Sequence, residues 1–362
     1  MTTLLLIISA AAVIFMVFGL AFFYAGQANE KSVTNTLLMS FGAFAIVLPL
    51  WAIIGHNIAF GNTDDPAFVL FQGAFAVIAT ALISGSIVSR MKFSSWMVFA
   101  GLWSVAVYAI LVQWTWSETG WLFNLGAIDL AGGLVIHVSS GATAVVLAVL
   151  LGKRASGPHL EQRRNVSSVV LGAGILIFGW TFFNAGSVLK VNDDTASVAL
   201  NTMVAASLGA VTWIILDAAK HRVATALGSS FGSIAALVAI TPSALAVNIT
   251  GAAIVSVVAT VSVYFAMSFK DRFVFDDTLD VAAVHGVAGI VGAVGVGLLA
   301  VDSGLFYGHG WHQTVVQLIS VVSVILYTVV VSFVIAMLVK VSVGLRIQKE
   351  HELAGIDELH PV

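Results

Sequence analysis

Apolar stretches of about twenty residues alternate with short polar or Gly/Pro-containing loops along nearly the whole chain. They fall near 3–25, 36–60, 67–88, 94–113, 127–151, 167–188, 196–217, 229–247, 250–268, 280–301 and 313–340. A helix of about 20 apolar residues crosses the hydrocarbon core of a bilayer. The pattern predicts an all-α polytopic membrane protein with eleven transmembrane helices, a membrane domain over 1–340 and a tail over 341–362. The first stretch lacks a basic leader and runs the full spanning length, which favours a spanning helix over a cleaved signal.

Composition supports the same class. The chain is 59% hydrophobic and 9% charged, against roughly 25% charged in soluble domains. A net charge of −3 gives no reason to expect nucleic acid, and the lack of cysteine excludes disulfides, thiolate nucleophiles and Cys-ligated metals.

The charges sort by face. Lys31 follows helix one, Arg90 and Lys92 helix three, Lys153, Arg154, Arg163 and Arg164 helix five. Lys220 and Arg222 follow helix seven, Lys270 and Arg272 helix nine, and Lys340, Arg346 and Lys349 helix eleven. The other face holds Lys190 with Asp64, Asp65, Glu118, Asp193, Asp194 and Asp302. The positive-inside rule places the N-terminus outside and the tail in the cytoplasm, in a cell (inner) membrane.

An internal repeat is visible. Gly19-Leu-Ala-Phe-Phe-Tyr-Ala-Gly26 matches Gly179-Trp-Thr-Phe-Phe-Asn-Ala-Gly186 at five of eight positions, 160 residues apart. One copy ends helix one and the other helix six, so the copies point in opposite directions. This predicts an inverted five-helix repeat, helices 1–5 (3–151) and 6–10 (167–301), with helix eleven (313–340) added. Transporters often have this architecture, with the transport site at the repeat interface near mid-bilayer.

Two histidines lie inside these apolar stretches. His137 is eight residues past Asp129 in helix five, ~12 Å deep, and His285 five residues past Asp280 in helix ten, ~7.5 Å deep. They approach the middle from opposite faces. Intramembrane ionisable residues normally face a protein interior or a conduction path. Two ordinary core histidines are the alternative, which the symmetric placement disfavours. A close pair stays neutral, one ring donating to the other.

Phe71, Phe75, Trp114, Trp116, Trp121, Trp180, Phe182 and Phe183 fall toward the outer face. Such rings, with the Ser187 hydroxyl, suit a small ammonium-like ion through cation–π contact, although an interfacial aromatic belt also enriches Trp. Gly286, Gly289, Gly292 and Gly295 give helix ten a small residue every third position, for close packing. Asp276, Asp277 and Asp280 read as helix-start caps. Two histidines make a poor zinc site, so neither a cofactor nor an enzyme is expected.

The segments GLAFFYAG, LFQGAFAVIATALISG, DLAGGLVIHVSSG, FGWTFFNAGS, FDDTLDVAAVHGVAGIVG and GLRIQKEHELAGIDELH resemble the ammonium transporter family, Amt branch, over nearly the whole length. The resemblance implies a homotrimer with one pore per subunit. It implies outer recruitment of ammonium, or its analogue methylammonium, by Trp116 and Ser187 with Phe71 nearby, and a gate of Phe75 on Phe183. It also implies a pore lined by His137 and His285, Asp129 shaping the outer site, and Phe23 with Tyr24 at the inner end. The family's tail packs across the cytoplasmic loops, where PII-type regulators dock. Departures are Ser89 before Arg90, where an acid is usual, and His56, where tyrosine is common. A longer stretch before Asp129 leaves Trp114 open as an alternative to Trp116, and the short tail puts tail-mediated regulation in doubt. The runner-up function is ammonium sensing, disfavoured because both histidines are kept and no kinase or cyclase domain follows. A neutral-solute channel is third, since no aquaporin-type NPA pair occurs.

Overall fold

The computed structural model describes residues 1–62, 65–155, 165–269, 272 and 275–359. Asp64, Arg163, Arg164 and Lys270, used above to sort the loops, lie outside the described residues. Ten helices among the described residues are long and apolar enough to cross a membrane, and a shorter apolar helix adds an eleventh. In chain order they are α1 (Thr2–Ala25), α2 (Glu30–Phe60), α3 (Pro66–Ser86), α4 (Phe93–Leu125, broken near 117–120) and α5 (Gly133–Leu151). The second half holds α6 (Val166–Gly186), α7 (Asp193–His221), α8 (Ala226–Ile240), α9 (Ile249–Ser268) and α10 (Ala282–Leu299), and α11 (His312–Ser342) follows. Exposed Leu318, Val322, Leu326 and Val330 form an apolar stripe on α11. Such a stripe suits a lipid neighbour rather than water.

The main departure from the expected boundaries is α8, expected over 229–247. It ends at Ile240 and passes into a buried turn at Thr241, Pro242 and Ser243. Proline lacks the N–H that continues a helix, and its ring crowds the carbonyl four residues back. The Pro242 carbonyl instead accepts the N–H of Leu130, tying this turn to the start of α5.

The two copies of the repeat pack antiparallel. A Cβ on Gly19 of α1 would meet Ile175 of α6, and one on Gly179 of α6 would meet Met16 of α1. Gly26, ending the first copy, lies on Asn165 and Val169 at the start of α6, while Gly186, ending the second, lies on Ser9 near the start of α1. Each motif therefore closes against the opposite end of its partner, as an inverted repeat requires.

Among the described residues, four stretches wind as π-helix: Trp51–Gly55, Ser104–Tyr108, Gly133–Val138 and Ala282–Val287. Such bulges are rare and often lie at functional sites. The last two hold His137 and His285.

The basic-loop face is tied by a polar network. Arg90 is fully buried and donates to the carbonyls of Gly152 (2.5 Å), Asp276 (2.6 Å) and Ser86, and to Thr278 Oγ1 (2.9 Å). Burial lowers its pKa to about 10, with neighbouring Asp276 opposing the shift, so it stays charged at neutral pH. Arg154 holds the Asp276 carboxylate through Nε (2.9 Å), Nη2 (2.8 Å) and its backbone N–H (2.9 Å). The tail crosses this face. Ile347 N–H donates to Arg90 O, and Lys92 N–H to Leu345 O. Glu352 joins Arg346 (2.7 Å) to the N–H of Ala155 (2.7 Å).

Candidate functional site

The start of α5 is built around one carboxylate. Asp129 Oδ1 accepts the N–H of Gly132 (3.0 Å) and Gly133 (2.6 Å), and Oδ2 those of Leu134 (2.9 Å) and Val135 (3.2 Å). Helix N-termini leave such donors unpaired, and a carboxylate there satisfies them and suits the dipole. Its carbonyl also accepts the Trp116 indole N–H at 2.7 Å. Asp129 thus fixes both the entry of α5 and the orientation of Trp116.

A cavity of ≈ 490 Å³ opens at this end, lined among others by Phe75, Trp116, Asp129, Ser187, Gln72 and Pro242. Trp116, rather than Trp114, faces it. Trp114 packs instead on Tyr327 (4.7 Å between ring centroids) and Trp121 (5.5 Å). Ser187 Oγ donates to Phe183 O at 2.9 Å, leaving its lone pairs free to accept from a ligand. Phe71 is buried one layer behind, 4.6 Å from Phe75 and against Gly186.

Below the cavity the rings form a continuous column. Trp116 lies 6.1 Å from Phe75, and Phe75 stacks on Phe183 at 4.3 Å and 26°. Phe183 is 6.4 Å from His137, and Trp180 stacks on His137 at 5.4 Å and 23°. His137 Nδ1 lies 3.2 Å from His285 Nδ1, with ring centroids 5.3 Å apart and planes 18° apart. Both histidines are almost wholly buried. One Nδ1 must donate and the other accept, so the two rings hold opposite tautomers. His137 Nε2 has no hydrogen-bond partner among the described groups.

Glycine lets the two helices meet. A Cβ on Gly141 of α5 would run into the backbone of Gly286 of α10, and one on Gly289 would press on Gly133 O, Val138 and His137. Gly292 and Gly295 face Ala239 and Val255 instead. The run in α10 therefore seats three neighbours, and its first half brings the imidazoles together.

The remaining expected residues lie elsewhere. Phe23 is buried edge-on against Phe231 at 5.5 Å, and Tyr24 donates to Leu82 O at 2.9 Å. Asp280 is nearly buried with φ +61°, and its carbonyl accepts the N–H of Val284. The Asp277 carboxylate accepts the N–H of Ala282 at the start of α10, at 2.7 Å. Asp277 stands eight residues before His285, the spacing of Asp129 and His137, and this signal was available in the sequence. Trp180, expected near the outer face, instead stacks on His137 and is held by its indole N–H on Thr241 Oγ1 (2.8 Å). No local motif marks that contact. His56 is buried among Trp51, Phe60 and Phe68, and Ser89 adopts φ +66°.

The model of the family described as Ammonium Transporter Family matches residues 4–360. An ammonium transporter of Aquifex aeolicus is 41% identical, covering 99% of this chain and 92% of that protein. One of Mycobacterium tuberculosis is 37% identical, covering 98% and 87%. Among solved structures, a protein titled Sensor Amt Protein superposes with a TM-score of 0.93 at 27% identity, covering 100% of this chain and 98% of that one. Saccharomyces cerevisiae Mep2 gives 0.87 at 28%, covering 96% and 88%. With eleven apolar helices folded as an inverted repeat around paired histidines, and relatives matched along its full length, the chain is a multi-pass membrane protein that belongs to the ammonium transporter family.

Proposed function

We propose that this chain carries ammonium across the membrane by recruiting the ion at the outer cavity, removing a proton at the Phe75/Phe183 stack and passing ammonia over His137 and His285. The observation that carries the reading is the unbroken ring column from Trp116 to a histidine pair joined at 3.2 Å.

A hydrated cation enters an apolar pore only at high energy. Aromatic faces at Trp116 and Phe75 offset part of the lost hydration, and Ser187 Oγ accepts an N–H from the ion. Phe71 backs this wall. Below the stacked phenylalanines the ion loses its proton to water or to a separate relay, and ammonia continues as a neutral molecule with a lone pair; a current is expected only where the proton is relayed inward. The neutral imidazoles then offer one donor or acceptor at each step, replacing solvent. Asp129 acts through structure and a fixed negative field; Phe23 and Tyr24 narrow the inner end, and Asp280 shapes the start of α10. Repeat one spans about 3–151, repeat two about 167–301, and the tail begins near 341. The reading includes a homotrimer in a cell inner membrane, N-terminus outside and tail in the cytoplasm, where a PII-type regulator docks.

Purified protein in liposomes should take up methylammonium or pass an ammonium-evoked current. A sensor that binds without conducting is the second reading, supported by the close superposition on a protein titled a sensor. Saturable ammonium binding with no flux and no current would establish that reading and remove the first. The curated relatives named ammonium transporters favour conduction.

A further inference from the structure

We propose that the cavity beneath the tail is a phosphate-binding site, taking the phosphate of an anionic lipid headgroup or of a soluble phosphorylated molecule. The cavity has a volume of ≈ 740 Å³ and lies between the tail and the ends of α2 and α4 that carry the basic loops.

Three features converge on it. Lys92, Arg346 and His351 line it, with a single acid, Asp357. The Asp357 carboxylate accepts the N–H of Thr34 (2.8 Å) and Asn35 (2.8 Å) at the start of α2, so both of its oxygens are engaged by backbone donors. Glu352 compensates the Arg346 guanidinium, so Lys92 supplies the uncompensated charge. Lys92 Nζ touches only a backbone carbonyl here, that of Val343 at 3.2 Å.

The second feature is the start of α4. Lys92 is its N-cap residue and provides no side-chain cap, and Phe93 and Ser94 face the cavity. The first amides of a helix have no partner inside it and carry partial positive charge, the usual setting for an anion.

The third feature is Asn35. It is more than nine-tenths buried, lines the cavity, and its Oδ1 has no partner. A buried amide oxygen without a partner is uncommon and points to a missing one. The amide can rotate to present its NH₂ donors to a phosphate oxygen. Lys92, two open helix amides and one primary amide together match the several acceptor oxygens of a phosphate.

The source of the phosphate follows from the rim. Leu38, 44% exposed, borders the cavity with Phe93, an apolar rim that suits the acyl chains of a lipid whose headgroup occupies the cavity. Basic pockets at helix ends are common lipid-headgroup sites. The polar side is open to soluble ligands.

The test is the melting temperature of the full-length protein in phosphatidylcholine nanodiscs, titrated either with phosphatidylglycerol in the disc or with inorganic phosphate in the buffer. Stabilisation by phosphatidylglycerol alone assigns a lipid headgroup, by inorganic phosphate alone a soluble ligand, and by both the shared phosphate chemistry. In each case Lys92→Ala and Ser94→Asp must raise the half-saturating concentration by about tenfold or more, the effect of losing one charge-assisted contact. Ser94→Asp puts a carboxylate where a helix start favours it, so the fold is retained while the anion is repelled. Absence of stabilisation by either probe overturns the proposal, and so does an unchanged half-saturating concentration in Ser94→Asp.

Discussion

Gly141 of α5 lies so close to Gly286 of α10 that a methyl group on Gly141 would enter the Gly286 backbone, whereas one on Gly286 would stop 3.5 Å from Gly141. The crossing is therefore asymmetric in what it tolerates. Gly141→Ala should push the helices apart, separate the histidines, destabilise the protein by about 1–3 kcal/mol and depress methylammonium uptake. Gly286→Ala should be close to wild type in both. Equal melting temperatures for the two variants would refute the geometry.

The paired imidazoles give a second prediction. His137→Ala leaves His285 Nδ1 without its partner at 3.2 Å. Losing one well-placed hydrogen bond along the path should lower methylammonium flux about tenfold. Flux is measured in liposomes with protein whose melting temperature is unchanged, and wild-type flux would remove the histidine from the transport path.

Asp129 receives four backbone N–H groups. Asp129→Asn replaces one acceptor oxygen by an NH₂ that faces two of those donors, so stability should fall by about 2 kcal/mol. Thermal melting in detergent reads this directly. A variant as stable as wild type, with only transport altered, would make Asp129 a ligand residue instead.

The Asp276–Arg154 pair sets a pH window. Burial alone would raise the Asp276 pKa, but the hydrogen bonds and charge of Arg154 outweigh it and hold the carboxylate below its ordinary 3.8. A carboxyl whose pKa is lower folded than unfolded adds stability above its unfolded pKa, and this is lost as pH falls through the folded value. Asp276→Asn should therefore be less stable than wild type by a constant margin from pH 5 to 8, on the order of 1–3 kcal/mol. The margin should shrink below about pH 4. A margin that grew on acidification would contradict the assigned direction.

The tail offers a fifth contact to break. Glu352 binds both Arg346 and the N–H of Ala155. Glu352→Ala should free residues 346–359 first, seen as faster limited proteolysis within the tail while the melting of the membrane helices changes little. Unchanged cleavage would mean that the Met91–Arg346 pairing and the Asp357 cap suffice.

The eleven helices were legible in the sequence because apolar length is a local property that any bilayer reads. So was the inverted repeat, because each copy keeps its glycines where the other helix must come close. The candidate histidines stood out because ionisable groups are costly in lipid wherever they lie. Their approach to one another followed from the inverted repeat; the other rings that contact them were not legible. Trp180 reads as an outer-face aromatic until α6 is docked beside α5, and only then does it cover His137. Nothing local stops α8 from running on except Pro242, and the outcome there depends on Leu130 taking up the Pro242 carbonyl. That Trp116, rather than Trp114, lines the cavity likewise depends on a hydrogen bond to Asp129 across a turn. Spacing along a chain determines which side chains can share a helix face. Which faces meet, and at what separation, is decided by packing between helices far apart in sequence.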